Sequence, residues 1–259
     1  SRAVLFPTDA RLGVAGIPQS ATGQTTLWTG INAARTAGRH VQAFPTSSLR
    51  NILASRSIFK TMADTGRRAT FANAYRDEYF EQIEKGKARL SASTLAVMSG
   101  GQRLRGLEDL REGRAVYQDF TNDILIQWGY NVKRISPAEA GSNLARLAGG
   151  YDFTLYEYFI TDRLGHARDV DKGVEVMEDL DEFLAAAVHG LNSRDSLVVL
   201  VSDHGNFEDM SVKSHTLNAV PTLLIGRVNS LEHYHIGSLT DVTPFVLQYL
   251  GITGEADLT

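Results

Sequence analysis

From Leu197 to Val201 the chain is uninterruptedly apolar, and it then stops on Ser202-Asp203-His204-Gly205, with a further histidine at His215. Five apolar residues bounded by polar ones predict a buried strand, and in open α/β sheets ligands gather where such strands end. A carboxylate and an imidazole would thus stand at the mouth of a sheet. Asp oxygen and neutral imidazole nitrogen are both good ligands for divalent zinc or manganese, so the pattern points first to a metal site. A helix cap at Asp203 with a hydrogen-bonded histidine beside it is the competing reading, and the residues alone leave both open.

The rest of the chain alternates strand and helix signals. Candidate strands are Thr70 to Asn73, Asn131 to Ile135, Phe153 to Phe159 and Thr222 to Ile225. Val170, Val174, Met177, Leu180, Leu184, Val188 and Leu191 recur three or four residues apart, which predicts a surface helix from Asp169 to Leu191 packed on the sheet through this stripe. Ser136-Pro137 followed by Glu139 predicts a helix start, with Gly149-Gly150 to end it. Thr240 and Asp241 open a last helix running through Leu250. Such alternation predicts an α/β fold, a three-layer sandwich around a mostly parallel central sheet. One domain is expected over residues 1–259, with the Gly-, Ser- and Arg-rich stretch from Lys85 to Tyr117 as a small cap or a plain surface insertion.

Composition narrows the partners. A net charge of -4, from 26 basic and 30 acidic residues, provides no field for nucleic acid or an anionic membrane, so a small molecule is the expected partner. The absence of cysteine excludes disulfides, thiolate ligands and a cysteine nucleophile. No apolar run approaches the roughly 18 residues that a spanning helix needs. A cytoplasmic protein is expected. The chain begins at Ser1 and enters at once on the apolar stretch Ala3 to Phe6, so a native N-terminal segment is expected to precede it.

Three further polar clusters accompany Asp203 and His204. Asp162 and His166 follow the strand at Phe153 and meet one ion if their turn is helical, since residues four apart share a face. Taken alone, such a pair is more often solvated or hydrogen-bonded. His215 alone would read as structural or exposed. Two carboxylates and three imidazoles on successive loops nevertheless supply most of a two-metal site of the kind that clamps the oxygens of phosphoryl transfer. The fourth cluster, Pro18 to Gly30, sets Ser20, Thr22 and Gly23 at a loop-to-helix junction, where free N–H groups attract an anion and a hydroxyl is placed to attack. Here too a bland reading competes, with Ser20 simply capping the helix.

Taken together, these segments resemble the alkaline phosphatase superfamily, in its branch with cofactor-independent phosphoglycerate mutase and phosphopentomutase. Ser202-Asp203-His204-Gly205-Asn206-Phe207-Glu208, His215-Thr216 and Asn218 to Thr222 are similar to the mutases' metal-binding segment. Asp162 and His166 match the family's Asp-x-x-x-His pair, and Leu239 to Pro244 with Leu250-Gly251-Ile252 resembles the closing segment. The resemblance implies Ser20, ten residues before Gly30, as the nucleophile. It also implies two divalent ions, Mn or Zn: one on Asp162, His166 and His215, the other on Asp203, His204, Ser20 and an aspartate from an N-terminal Asp-Gly strand. This sequence contains no Asp-Gly pair, and Asp9, the only nearby carboxylate, has the wrong context. The implied activity is phosphoryl transfer on a small phosphorylated substrate. Hydrolysis is favoured over mutase activity because the large arginine-bearing domain of the mutases has only the stretch from Lys85 to Tyr117 as counterpart. A non-catalytic metal-binding module is the rival from another class.

Overall fold

A computed structural model describes residues 2–191, 196–226 and 234–252. In chain order its elements are β1 (Arg2–Thr8), α1 (Ser20–Thr29), α2 (Ala33–Ala37), α3 (Ser47–Arg56), α4 (Ile58–Asp64), β2 (Ala69–Phe71), α5 (Asp77–Glu84) and α6 (Ala92–Ser99). There follow α7 (Leu107–Arg111), α8 (Asp123–Gln127), α9 (Pro137–Ala148), β3 (Phe153–Leu155), α10 (Ile160–Ala167), α11 (Val170–Gly190), β4 (Val198–Val201), β5 (Val220–Gly226) and, after a 3-10 turn at Leu239–Asp241, α12 (Val242–Tyr249).

The chain is mixed α/β, but the expected mostly parallel central sheet is not what the described residues form. One sheet has the order β1-β5-β4 and is antiparallel throughout, with Thr8 opposite Val220 and Val201 opposite Thr222. A separate parallel pair joins β2 to β3, Phe71 opposite Leu155. The connections account for the difference. Parallel neighbours need a long crossover, usually helical, and the chain between Val201 and Val220 contains no helix, so it returns as a neighbouring antiparallel strand. The helix-rich passage from β2 to β3 can supply such a crossover.

Two strands end differently from their sequence signal. Asn131 to Ile135 is no strand: Asn122 Nδ2 donates to the Lys133 carbonyl at 2.9 Å and the Ile135 N–H donates to Thr121 O at 3.2 Å, so its polar backbone is satisfied by a loop. The run from Phe153 leaves the ladder after Leu155. There the Asn73 side chain takes over the backbone of Glu157, accepting from its N–H at 2.8 Å and donating to its carbonyl at 2.7 Å.

Helix α9 starts as its sequence requires, with Ser136 Oγ accepting from the Glu139 N–H at 3.1 Å. Helix α11 corrects the expected stripe. It packs chiefly on α9, burying Gly173, Val176, Phe183 and Ala187, while Val170, Val174 and Met177 face outward. The later part of the predicted stripe is covered, Leu180 and Leu184 packing beside Phe183 and Leu144 of α9, and only its start faces outward.

Two apolar clusters flank the parts that matter for function. Val220, Leu224, Ile236 and Phe245 gather between the antiparallel sheet and α12, and Leu27 on α1 joins them. Ala92, Ala96 and Val97 on α6 pack with Leu53, Phe59 and Phe71. Within the stretch from 85 to 117, Arg103, Arg105 and Arg114 surround the buried Asp109, the closest contact being Arg103 Nη2 to Asp109 Oδ1 at 2.6 Å. No described helix is long and apolar enough to cross a membrane.

Candidate metal centre

Helix α1 places Ser20 in its first turn. Gln19 is the N-cap and makes no side-chain capping bond, so Ser20 does not serve as the cap; its Oγ instead lies 3.0 Å from His204 Nε2. The close approach is set by Gly23, since a Cβ there would fall 2.4 Å from the Asp203 carbonyl oxygen. No helix follows Asp203 within residues 203–219, so the capping reading of that aspartate also fails.

Asp162 and His166 sit one turn apart on α10, with His166 Nε2 3.5 Å from Asp162 Oδ1. Gly165 between them lets the loop pack against the helix: a Cβ at this glycine would stand 1.5 Å from Asn206 Oδ1. An antiparallel bridge, Thr216 N–H to Gly205 O at 3.0 Å, folds the loop back and brings His215 beside His204. Their rings stack with centroids 3.7 Å apart. Glu208 ties the loop together, accepting from the Asn206 N–H at 2.7 Å, from Asn218 at 3.1 Å and from the Thr216 hydroxyl.

All six residues singled out in the sequence therefore meet in one network. Asp162 Oδ1 is its hub, 3.4 Å from His215 Nε2 and 3.9 Å from His204 Nε2, and Asp203 Oδ1 lies 3.6 Å from His204 Nε2. Asp9 does not join; it pairs with Arg11 at 3.1 Å.

The tautomers follow from the outer partners. His166 Nδ1 faces the Lys213 carbonyl at 2.6 Å and His215 Nδ1 faces the Pro18 carbonyl at 2.8 Å. A carbonyl only accepts, so each Nδ1 carries the hydrogen and each Nε2 presents a lone pair in the neutral ring. Those two Nε2 atoms are 3.1 Å apart. Asp162 Oδ1, the third acceptor, is buried with no properly directed hydrogen bond. Three acceptors facing one another require a cation or a proton between them, and the ligand atoms of Asp162, His166 and His215 all lie within 4.8 Å of one another. These residues fit a divalent ion.

Electrostatics agree. Burial works to raise the Asp162 carboxyl, but the contact with His215 and the nearby His204 and His166 outweigh it and hold it below its ordinary range. Burial also opposes charge on His215, yet Asp162 and the Pro18 carbonyl leave that imidazole raised. Asp203 is pushed up by burial above all.

One neighbouring group escaped the sequence reading. Glu157 accepts from Gln24 Nε2 at 2.9 Å, and burial pushes its carboxyl up to about 7. Its signal was present as a lone acid in the aromatic run Tyr156-Glu157-Tyr158-Phe159, where a charge needs a reason.

Part of the chain matches known proteins. Residues 127–254 match the family model described as the Metalloenzyme superfamily, the segment that supplies five of the six clustered residues. That match covers just under half of the chain, which over this part is similar to the alkaline phosphatase superfamily of metalloenzymes. Within it, the sequence relatives are 2,3-bisphosphoglycerate-independent phosphoglycerate mutases. That of Desulforudis audaxviator is 33% identical over 115 residues, 42% of this chain and 23% of its own length. That of Agrobacterium fabrum is 30% identical over 133 residues, 48% of this chain and 26% of its own. The chain thus spans about a quarter of the length of the curated relatives it matches. In fold it is similar to the alkaline phosphatase from the Antarctic bacterium TAB5, with a TM-score of 0.60 at 14% identity over 98% of this chain and 89% of that one.

Proposed function

We propose that this chain carries out divalent-metal-dependent phosphoryl transfer on a small phosphoester, with Ser20 as nucleophile and water as the favoured acceptor. The observation that carries this reading is the convergence of His166 Nε2, His215 Nε2 and Asp162 Oδ1 with no donor among them, beside a serine hydroxyl on the same network. Asp162, His166 and His215 would hold one ion, Mn or Zn; Asp203, His204 and Ser20 are the groups for a second. When bound, such ions lower the pKa of a coordinated hydroxyl and neutralise charge on phosphoryl oxygens.

The chain's own groups do the rest. Ser20 Oγ, having lost its proton to solvent, forms a bond to phosphorus as the ester P–O bond breaks, and the departing oxygen takes a proton from water. Water then attacks the phosphoserine, releasing inorganic phosphate and restoring the hydroxyl. The N-terminal end of α1, which bears Ser20, would lend the positive end of its helix dipole to the phosphoryl oxygens.

The sequence relatives favour a second reading, in which a sugar-acid hydroxyl replaces water as acceptor. Release of phosphate from an alkyl phosphate by the Mn-loaded protein, followed by mass spectrometry of a quenched reaction, tests the first. Phosphate release with a phosphoryl group on Ser20 is expected; interconversion of phosphoglycerates without release would favour the second. One tightly bound ion with no reaction on either substrate would make the chain a metal-binding module.

A further inference from the structure

Between the end of β2, the start of α5 and the segment after β3 lies a cavity of about 190 Å³, a size for one ring rather than for an extended ligand. Its walls are aromatic. Tyr75 and Tyr79 stack with centroids 4.6 Å apart, and the buried Tyr117 stands with them in the lining. Both tyrosine hydroxyls reach Thr94 Oγ1, at 2.9 and 3.4 Å, so the ring planes are fixed before any ligand arrives.

The rim is aromatic as well, and open. Trp128 is 53% exposed and Phe159 38% exposed, large rings left in water at the mouth of a hollow. The Arg76 guanidinium lies over the Trp128 ring at 4.6 Å and also meets the Tyr130 hydroxyl, with the Glu78 carboxylate nearby. Beside the ring faces the walls carry one cation, Arg76, and the polar side chains of Asn73, Gln118 and Glu157, of which Asn73 is already bonded to the Glu157 backbone.

The cavity shares its framework with the metal cluster. Glu157 lines it and holds Gln24, which lies four residues after Ser20 on α1. Phe159 immediately precedes α10, and Asp162 follows three residues later.

We infer that this cavity takes the organic half of the phosphoester, and that this half is a flat aromatic ring bearing a negative substituent toward Arg76. The link to the reaction rests on the phosphoryl-transfer reading, whereas the ring preference rests on the cavity alone. The two are therefore separable by binding. Benzylphosphonate, 4-carboxybenzylphosphonate and ethylphosphonate, none of them hydrolysable, are titrated calorimetrically into the Mn-loaded full chain.

Benzylphosphonate is expected to bind at least about tenfold more tightly than ethylphosphonate, with the carboxylated ring tighter still. Trp128→Ala brings the benzyl-to-ethyl ratio close to one and Trp128→Phe preserves it; the residue is exposed, so neither change opens a hole in the core. Arg76→Ala removes only the gain from the carboxylate. A ring preference without any turnover upholds the cavity and overturns the phosphoryl-transfer reading. Equal affinity for benzyl- and ethylphosphonate, or binding of neither, overturns the cavity assignment even if phosphoesters are turned over.

Discussion

His166 Nε2 and His215 Nε2 face each other at 3.1 Å while the Nδ1 of each ring is committed to a backbone carbonyl. Two imidazole lone pairs at that separation repel unless something positive lies between them. His215→Ala is therefore expected to lower affinity for Mn or Zn by more than about 100-fold, beyond the usual effect of losing an outer partner of a ligand. Calorimetric titration of the purified chain checks this, and an unchanged affinity would remove His215 from the site.

Ser20 is argued to act in chemistry and not in holding the ion on Asp162, His166 and His215. Ser20→Ala should reduce phosphate release by at least about a thousandfold while leaving the affinity of that ion unchanged. Parallel rate and metal-binding measurements separate the two effects.

Gly165 makes room for the Asn206 amide, and Gly23 for the Asp203 carbonyl. Alanine at either position forces the metal-bearing loop away from its helix. Each substitution is expected to destabilise the chain by about 1–3 kcal/mol, the range for overpacking, and to weaken metal binding as well. Urea unfolding measures the first effect and metal titration the second.

Asp109 is held at about 2, chiefly by its hydrogen bond to Arg103 and against the opposing effect of burial. Because the folded value is depressed, this carboxylate contributes stability fully above its unfolded pKa of about 3.9 and loses it as pH falls through the folded value. The contribution is on the order of 1–2 kcal/mol once screening at the exposed Arg103 is allowed for. The stability gap between wild type and Asp109→Asn should shrink from pH 5 to pH 2 in denaturant titrations.

Four of the six clustered residues stood out by type and place, Asp203 and His204 at the end of an apolar strand and Asp162 and His166 on one helix face, whereas Ser20 and His215 were singled out by the family resemblance. The capping alternatives for Ser20 and Asp203 could not be resolved from sequence, since a hydroxyl or carboxylate before a helix looks the same whether it turns to the backbone or to an imidazole 184 residues away. Strand direction was hidden for another reason. β4 and β5 read as apolar runs in either orientation, and only the helix-free loop between them makes them antiparallel. The exposed Val170, Val174 and Met177 carry the same lesson, for a 3.6-residue period announces an apolar face without naming what covers it.

Anomalous diffraction from crystals grown with zinc tests the central claim most directly. The account predicts a zinc peak bonded to His166 Nε2, His215 Nε2 and a carboxylate oxygen of Asp162, at about 2.0–2.2 Å from each. A fully zinc-exposed crystal with no peak among these three residues, or with zinc bound only elsewhere, would contradict it.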